Sequence, residues 1–517
     1  MTPADDGPLA GHLMLAPRIP GRSAPAGGRP KAVVIGGGFG GMAAALRLRA
    51  KGYRVTLVER LAELGGRAQV FSKGGFRHDA GPTVLTVPFL FEELFALFGK
   101  HLSDYAELRR LETWYHFRFA DGSSFNYGGT PEQTLDEIRR HEPSDVGGYL
   151  KLLEHSRRLF DAAFTDLSSA PFHSPWSMVR EAPRLVRLSA YQTVWQMVGR
   201  YLKHPNLRQA FSIQPLLVGG NPFTTTSIYG LIHFLERKWG VLYAVGGTGA
   251  LVAALRRLAV EEGIDVRTGQ TVTRIDVNGG VARGVAVDGG TVLPADIVVS
   301  NCDPLHLYGS LLPHASVGLG PRIKQRARLS MGLFVLYFGT RQSHPSVNRH
   351  TILLGPQFRE HLSRIFDKLE LDDDLCLYVH RPTATDRSFA PNGGDSFYAL
   401  CPVPNLASGH DWRIEGPRLR DRIVAHLERT LLPGLRANII DDFFMTPTDF
   451  EDRYLSVAGA GFSIAPHFTQ SAWFRFHNRG EGVGGLYLVG AGTHPGAGIP
   501  GVLCSAKAVD GLVPAAV

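Results

Sequence analysis

Residues 31–67, KAVVIGGGFGGMAAALRLRAKGYRVTLVERLAELGGR, decide the fold of this chain. Gly36, Gly38 and Gly41 form the pattern G-x-G-x-x-G directly after a short hydrophobic segment. The first glycine permits a sharp turn from strand to helix, the second lets the backbone approach a pyrophosphate, and the third lets helix and strand pack closely. The helix expected over 42–51 directs its N-terminal N–H groups toward phosphate. The pattern predicts a dinucleotide-binding strand, turn and helix.

An acidic residue and a second glycine pair narrow the choice of cofactor. Glu59 ends the next predicted strand, 23 residues after Gly36, where a carboxylate can accept hydrogen bonds from both ribose hydroxyls. A carboxylate there disfavours the 2′-phosphate of NADP, which leaves NAD and FAD. Gly65, Gly66 and Arg67 then resemble the second signature of FAD-binding oxidoreductases of the glutathione-reductase type. The expected cofactor is therefore FAD, with cofactor-binding residues Gly36, Gly38, Gly41, Glu59, Gly66 and Arg67.

Composition excludes several classes of protein. The 517 residues suit two or three domains. The four cysteines, Cys302, Cys376, Cys401 and Cys504, are far apart, so neither a metal site nor a disulfide framework is expected, and a reducing cytoplasm fits. The net charge is +8, but no nucleic-acid motif accompanies it. The charge reflects either a general preference for arginine or attraction to an anionic membrane surface.

Stretches along most of the chain resemble the bacterial-type phytoene desaturases. These are 34–41 (VIGGGFGG), 65–67 (GGR), 76–84 (FRHDAGPTV), 216–223 (LLVGGNPF), 246–251 (GGTGAL), 334–339 (FVLYFG), 469–474 (TQSAWF) and the most specific, 486–501 (LYLVGAGTHPGAGIPG). The resemblance implies FAD-dependent desaturation of phytoene to neurosporene or lycopene, by hydride transfer to flavin and loss of a proton. Three alternatives stay open: a desaturase of another carotenoid, an isomerase, and a flavin-free prenyl-chain carrier resembling GDP-dissociation inhibitors. Without a cysteine-pair redox motif, the flavin needs an external electron acceptor such as a quinone or oxygen.

The same resemblance implies an α/β fold. It combines a Rossmann-like FAD-binding domain of the glutathione-reductase and amine-oxidase type, a mixed-sheet substrate domain and a helical subdomain that faces the membrane. The FAD-binding domain is expected from residues 31–110, 240–305 and 475–517, the substrate domain from 111–145 and 306–474, and the helical region from 146–239. Residues 1–30, rich in Pro, Gly and Ala, are expected to form a disordered tail.

Further site residues follow from the resemblance. Gly490, Gly501 and Val502 are expected beside the flavin, and Val272 beside the adenine. His494 is a candidate base or a residue that fixes its own turn, and Asp79 is a catalytic candidate or a turn cap. The family has been discussed as using an Asp and an Arg three positions apart. Here those positions hold Ser177 and Arg180, so only Arg180 stays a catalytic candidate.

Residues 184–203 are predicted to form one amphipathic helix. Leu188, Val194, Val198 and Leu202 recur at helical spacing, Trp195 adds an aromatic ring, and several arginines flank them. A basic amphipathic helix with Trp suits a lipid interface, whereas an ordinary core helix gives the same spacing. A long polyene partitions into lipid, which favours a peripheral protein at the cytoplasmic side of the inner membrane.

Overall fold

The computed structural model describes residues 28–165, 168, 175–313 and 317–516, so most of the predicted tail lies outside the described residues. The strands are β1 (Lys31–Ile35), β2 (Arg54–Val58), β3 (Val70–Lys73), β4 (Phe76–Asp79), β5 (Leu108–Arg110), β6 (Thr113–Arg118), β7 (Ser124–Gly128), β8 (Leu242–Ala244), β9 (Asp265–Arg267), β10 (Val272–Asn278), β11 (Val281–Val287), β12 (Val292–Pro294), β13 (Ile297–Ser300), β14 (Gly332–Thr340), β15 (His350–Leu353), β16 (Leu377–His380), β17 (Asp395–Val403), β18 (Ile439–Met445) and β19 (Leu486–Leu488). The helices are α1 (Phe39–Ala50), α2 (Phe89–Ala96), α3 (Pro131–His141), α4 (Asp145–Phe160), α5 (Pro175–Arg187), α6 (Val194–Gly199), α7 (Pro205–Ala210), α8 (Leu231–Trp239), α9 (Thr248–Glu261), α10 (Pro304–His306), α11 (Leu319–Lys324), α12 (Phe358–Ser363), α13 (Trp412–Thr430), α14 (Leu435–Asn438), α15 (Pro447–Tyr454) and α16 (Ile499–Leu512).

A five-stranded parallel sheet carries the glycine-rich turn. Its strand order is β19-β13-β1-β2-β9, so both ends of the chain and a middle segment contribute strands. Helix α16 packs against α1, and Arg47 of α1 forms ion pairs with Asp510 of α16 and Glu93 of α2. A parallel sheet with covering helices is typical of dinucleotide-binding folds. The two ends of the chain therefore meet at the turn after β1.

A seven-stranded mixed sheet forms the second layer, in the order β18-β14-β17-β16-β15-β6-β7. Along β14, Phe334, Leu336 and Phe338 pack with α13, while Leu333 and Val335 belong to the opposite core. Every residue of β14 is buried, because side chains alternate between two covered faces. The second face of this sheet lines the cavity described below.

The single helix expected over 184–203 is wrong. Helix α5 ends at Arg187, and α6 starts only after Thr193. The Thr193 hydroxyl accepts from the Gln196 N–H at 3.2 Å, and the Gln196 side chain accepts from the Thr193 N–H at 3.0 Å, which is a capping box. Val194 and Val198 are fully buried, so this apolar spacing belongs to a core helix. Within the described residues, none of the helices is long and apolar enough to cross a bilayer.

Candidate active site

One cavity of about 580 Å³ joins the glycine-rich turns to an apolar interior. Gly36, Gly38 and Glu59 line one end together with residues 65–67 and 496–502. The remaining wall is mostly apolar, with Ile213, Leu216, Leu217, Leu235, Leu333, Val335, Ile352, Leu354, Leu377 and Leu400 among its side chains. A site of this kind can hold a polar cofactor at one end and a hydrocarbon beside it.

The two glycine-rich turns form one backbone surface. The Gly65 N–H donates to the Gly37 carbonyl at 2.9 Å, which ties the second signature to the first. A Cβ on Gly41 would lie 1.9 Å from the Gly36 carbonyl oxygen, so this packing requires glycine. Gly36 has φ = 91°, in the region that favours glycine. The predicted cradle for a pyrophosphate fits the residues present.

Glu59 is anchored at the floor of that cradle. Its side chain is 5% exposed, and its two oxygens accept from the N–H groups of Gly37 at 2.7 Å and Leu61 at 2.8 Å. A carboxylate has about four acceptor positions, so two remain for the hydroxyls of a ribose.

Arg67 lines the cavity beside the second turn. Its guanidinium donates to the Ser456 hydroxyl and lies 5.7 Å from the centre of the Tyr454 ring. Burial lowers the pKa of this guanidinium, and the nearby Asp303 carboxylate opposes that shift. In the described part of the chain, its Nε has no hydrogen-bond partner. An anionic group of the cofactor would supply the acceptor that this N–H group needs.

The glycine-rich segment before α16 covers the other side of the cavity. Gly501 and Val502 line it, whereas Gly490 lies behind it against Asn301, which does line it. Arg475, 1% exposed, holds this segment by donating to the carbonyls of Ala491 at 2.6 Å and Thr493 at 3.2 Å. A buried arginine that is satisfied by backbone carbonyls fixes the shape of the segment.

The remaining predicted residues lie at different places. Val272 and His494 line the cavity, and the His494 backbone N–H donates to the Phe476 carbonyl at 3.0 Å. Arg180 is 85% exposed on α5, 3.6 Å from Glu181, and is absent from the cavity wall formed by the described residues. The side chain of Ser177 lies outside those described. The catalytic roles of His494 and Arg180 stay predictions.

Asp79 is fully buried and caps the turn before α9. Its Oδ1 accepts from the Thr248 N–H at 2.9 Å, and its Oδ2 lies 3.5 Å from Nε2 of His380. Burial raises the pKa of the Asp79 carboxyl to about 6. The turn that Asp79 caps is 169 positions away in the sequence, so these contacts test neither the expected cap of its own Asp-Ala-Gly-Pro turn nor its catalytic role.

Two groups of cavity residues are missing from the sequence predictions. Glu236 on α8 is 1% exposed, and its Oε1 accepts from the Tyr115 hydroxyl at 2.7 Å. Thr83 joins the hydroxyls of Tyr378 and Tyr398 at 2.9 and 2.8 Å. Thr83 lies in the family-like stretch 76–84, but nothing in the sequence pairs it with Tyr378 and Tyr398, or Glu236 with Tyr115, because these partners are more than a hundred positions away.

Fold and site together define an FAD-dependent oxidoreductase, and comparison with known proteins confirms this class. The family of flavin-containing amine oxidoreductases matches residues 39–509. The lycopene-forming phytoene desaturase of Pantoea ananas is 45% identical over 93% of this chain and 98% of its own. The neurosporene-forming phytoene desaturase of Rhodobacter capsulatus is 42% identical over 94% of each. An oxidoreductase from Methanosarcina mazei has the same fold, with a TM-score of 0.62 at 16% identity over 93% of this chain and 99% of its own.

The chain belongs to the flavin-containing amine oxidoreductase family and, within it, to the group of the bacterial phytoene desaturases. The predicted FAD cofactor and α/β flavoprotein fold are confirmed. The limits of the three predicted domains and the roles of the individual site residues stay predictions.

Proposed function

We propose that this protein desaturates phytoene to lycopene or neurosporene. The observation that carries the proposal is the continuous cavity, which runs from the glycine cradle to a wall of Leu, Ile and Val side chains. Relatives that cover nearly the whole chain at 42–45% identity are phytoene desaturases with these two products. A hydrocarbon gains no hydrogen bonds from its site, so an apolar wall is the surface that suits it.

Each part of the site has a chemical task. Bound FAD supplies a two-electron oxidant that accepts a hydride. The cradle and the segment before α16 hold the cofactor in one place, and the apolar wall holds the polyene beside it and excludes water. Placement of this kind supplies much of the rate enhancement when no strong acid or metal is needed.

The test uses FAD-loaded protein, phytoene in liposomes and chromatography of the products. We expect phytoene to disappear and a more conjugated carotene to accumulate, with oxygen or an added quinone as electron acceptor. Running the assay in air, and without air with and without the quinone, identifies the acceptor. An unchanged phytoene peak under all conditions would contradict the proposal.

The alternative substrates have weaker support. A 4,4′-diapophytoene desaturase from Methylomonas is 30% identical, against 45% for the relative from Pantoea ananas. A flavin-free prenyl-chain carrier would not need Glu59, whose carboxylate is held in place within the cradle. Chromatography against each candidate carotene separates these activities, including an isomerase that changes geometry without changing conjugation.

We also propose that α5 is a membrane-contacting surface at the substrate entrance. Leu185 of this helix lines the cavity. On its other side, Trp176, Val179 and Val186 are 76%, 60% and 63% exposed, at helical spacing. Arg180 is exposed among them and can contact anionic headgroups. An exposed apolar stripe beside a basic side chain favours the lipid interface.

The variant Val179→Asp/Val186→Asp tests this surface by cosedimentation with vesicles that contain anionic lipid. We expect vesicle binding to fall about tenfold or more, because two carboxylates replace two apolar side chains. Val260→Asp is the matched control, since Val260 is 58% exposed on α9. Equal vesicle binding by all three proteins would contradict the proposal.

A further inference from the structure

We propose that Glu236 accepts the proton that the substrate loses during desaturation. The inference rests on the proposed function and adds a catalytic residue to it. Glu236 lies in the cavity wall on α8, at the apolar part of the site, together with Leu231 and Leu235 of the same helix.

Carboxylates are rare in this cavity. Glu59 and Glu236 are the two among the wall residues of the described chain. Both oxygens of Glu59 are held by backbone N–H groups at the cofactor cradle. Glu236 differs because only its Oε1 is engaged, by the Tyr115 hydroxyl, while its buried Oε2 has no partner among the described groups. A buried oxygen without a partner is costly, and binding a proton relieves that cost.

The surroundings of Glu236 suit a base that works near neutral pH. Burial raises the pKa of its carboxyl to about 7, and the hydrogen bond from Tyr115 acts in the opposite direction. A general base is most effective when its pKa lies near the working pH. The Tyr115 hydroxyl also fixes the orientation of the carboxylate.

The groups around Glu236 do not compete for the proton near neutrality. Burial lowers the pKa of His233, one turn earlier on α8, to about 4. Burial raises the pKa of the Tyr115, Tyr127 and Tyr149 phenols, so all three stay protonated. The Arg237 charge also lowers the pKa of Glu236, although its guanidinium lies 4.4 Å from the Trp114 ring centre and donates to the Gly129 carbonyl.

The step balances in atoms and electrons. One substrate carbon gives up a hydride, and both electrons of that C–H bond leave to the oxidised cofactor. The C–H bond on the neighbouring carbon breaks, its electron pair forms the new double bond, and its proton bonds to the Glu236 carboxylate. The carboxylate becomes a carboxylic acid, which must return the proton to solvent before the next turnover.

The first experiment shifts the pKa of Glu236 while its carboxyl group stays in place. Tyr115→Phe deletes the hydrogen bond that lowers this pKa, so the rising limb of the kcat–pH profile should shift to higher pH. The carbonyl infrared band of the protonated carboxyl should show the same shift when the FAD-loaded protein is titrated. Tyr127→Phe is the control: it removes a neighbouring buried phenol that makes no hydrogen bond to Glu236 in the described structure, and the midpoint should stay in place. An unmoved midpoint in Tyr115→Phe would overturn the proposal.

The second experiment removes the base. Glu236→Gln should lower kcat by about 100-fold or more, lose the carbonyl infrared band that titrates near pH 7, and keep the KM and flavin content of the wild type. Glu236→Asp should restore part of the activity, whereas a purely structural role predicts no such rescue. Full activity in Glu236→Gln, or a rising limb that moves with His494→Gln instead, would overturn this proposal alone. Failure of the wild-type protein to desaturate phytoene would overturn the proposed function as well.

Discussion

At the scale of single residues, some positions of the cofactor cradle require glycine because there is no room for a side chain. Gly41 shows this, because its Cα faces the Gly36 carbonyl so closely that a Cβ would lie 1.9 Å from the oxygen. Real Cβ atoms do not approach backbone oxygens to that distance, so a larger residue must displace the turn after β1. The phosphate-binding backbone of the cradle belongs to that same turn.

We therefore expect Gly41→Ala to lose most of its bound FAD and to melt at a lower temperature. The flavin-to-protein absorbance ratio and thermal unfolding measure the two effects. Gly147→Ala is the matched control, because Gly147 lies in α4 and an added methyl group would meet nothing within 4 Å. Replacing a helical glycine in open space should stabilise the protein by about 0.5–1 kcal/mol and leave the flavin content unchanged. Full flavin content in Gly41→Ala would contradict the argument.

At the scale of secondary-structure elements, the spacing of apolar residues does not distinguish a helix on a membrane surface from a helix in the protein core. Apolar residues over 188–202 recur as in a membrane-surface helix and equally as in a core helix. The structure has the core helix, because Thr193 and Gln196 start α6 and place Val194 and Val198 inside. The capping signature T-x-x-Q over 193–196 is visible in the sequence, and it predicts that a new helix begins after Thr193.

Thr193→Ala tests the importance of this helix start. It removes the hydroxyl that accepts from the Gln196 N–H, so the free energy of unfolding should fall by about 1 kcal/mol. Chemical denaturation of the FAD-loaded protein measures the change. Thr193→Ser keeps the acceptor and should stay near the wild type, so equal losses in both variants would show that the cap contributes nothing.

At the scale of the whole molecule, the sequence predicts those structural features that depend on residues close together along the chain. The strand, turn, helix and Glu59 of the cradle depend on contacts within about thirty residues, and their pattern is readable. Glu236 depends on Tyr115, which is 121 positions away, so its burial follows from the packing of α8 on the mixed sheet. Arg180 is predicted as a site residue from its sequence position alone, and its place on the exposed side of α5 likewise depends on packing between distant segments.

Buried histidines should make the whole protein sensitive to acid. Burial lowers the pKa of His78 and His233 to about 4, and those of His350 and His380 fall well below the ordinary value. On unfolding, these side chains bind protons below about pH 6.5. Their stabilising contribution is therefore complete above that pH and is lost as the pH falls toward 4.

Three buried carboxyls, Glu236, Asp79 and Asp303, act in the opposite sense, because burial raises the pKa of each. Burial raises the pKa of Glu236 to about 7 and that of Asp79 to about 6, so their contribution is present in acid and is lost as the pH rises through 6–7. The four histidines outweigh the three carboxyls, since each fully shifted group contributes about 1.4 kcal/mol per pH unit. We expect the free energy of unfolding to fall by about 3 kcal/mol between pH 7.5 and 5.5.

Urea denaturation at the two pH values measures this difference, and single variants identify its source. His233→Gln removes one buried titrating ring, so the loss on acidification should shrink by about 1 kcal/mol. His101→Gln is the control, because His101 lies exposed on the surface and its replacement should leave the loss unchanged. Stability that rises on acidification would instead mean that the carboxyls dominate. In that case Glu236→Gln, which cannot ionise, should abolish most of the rise.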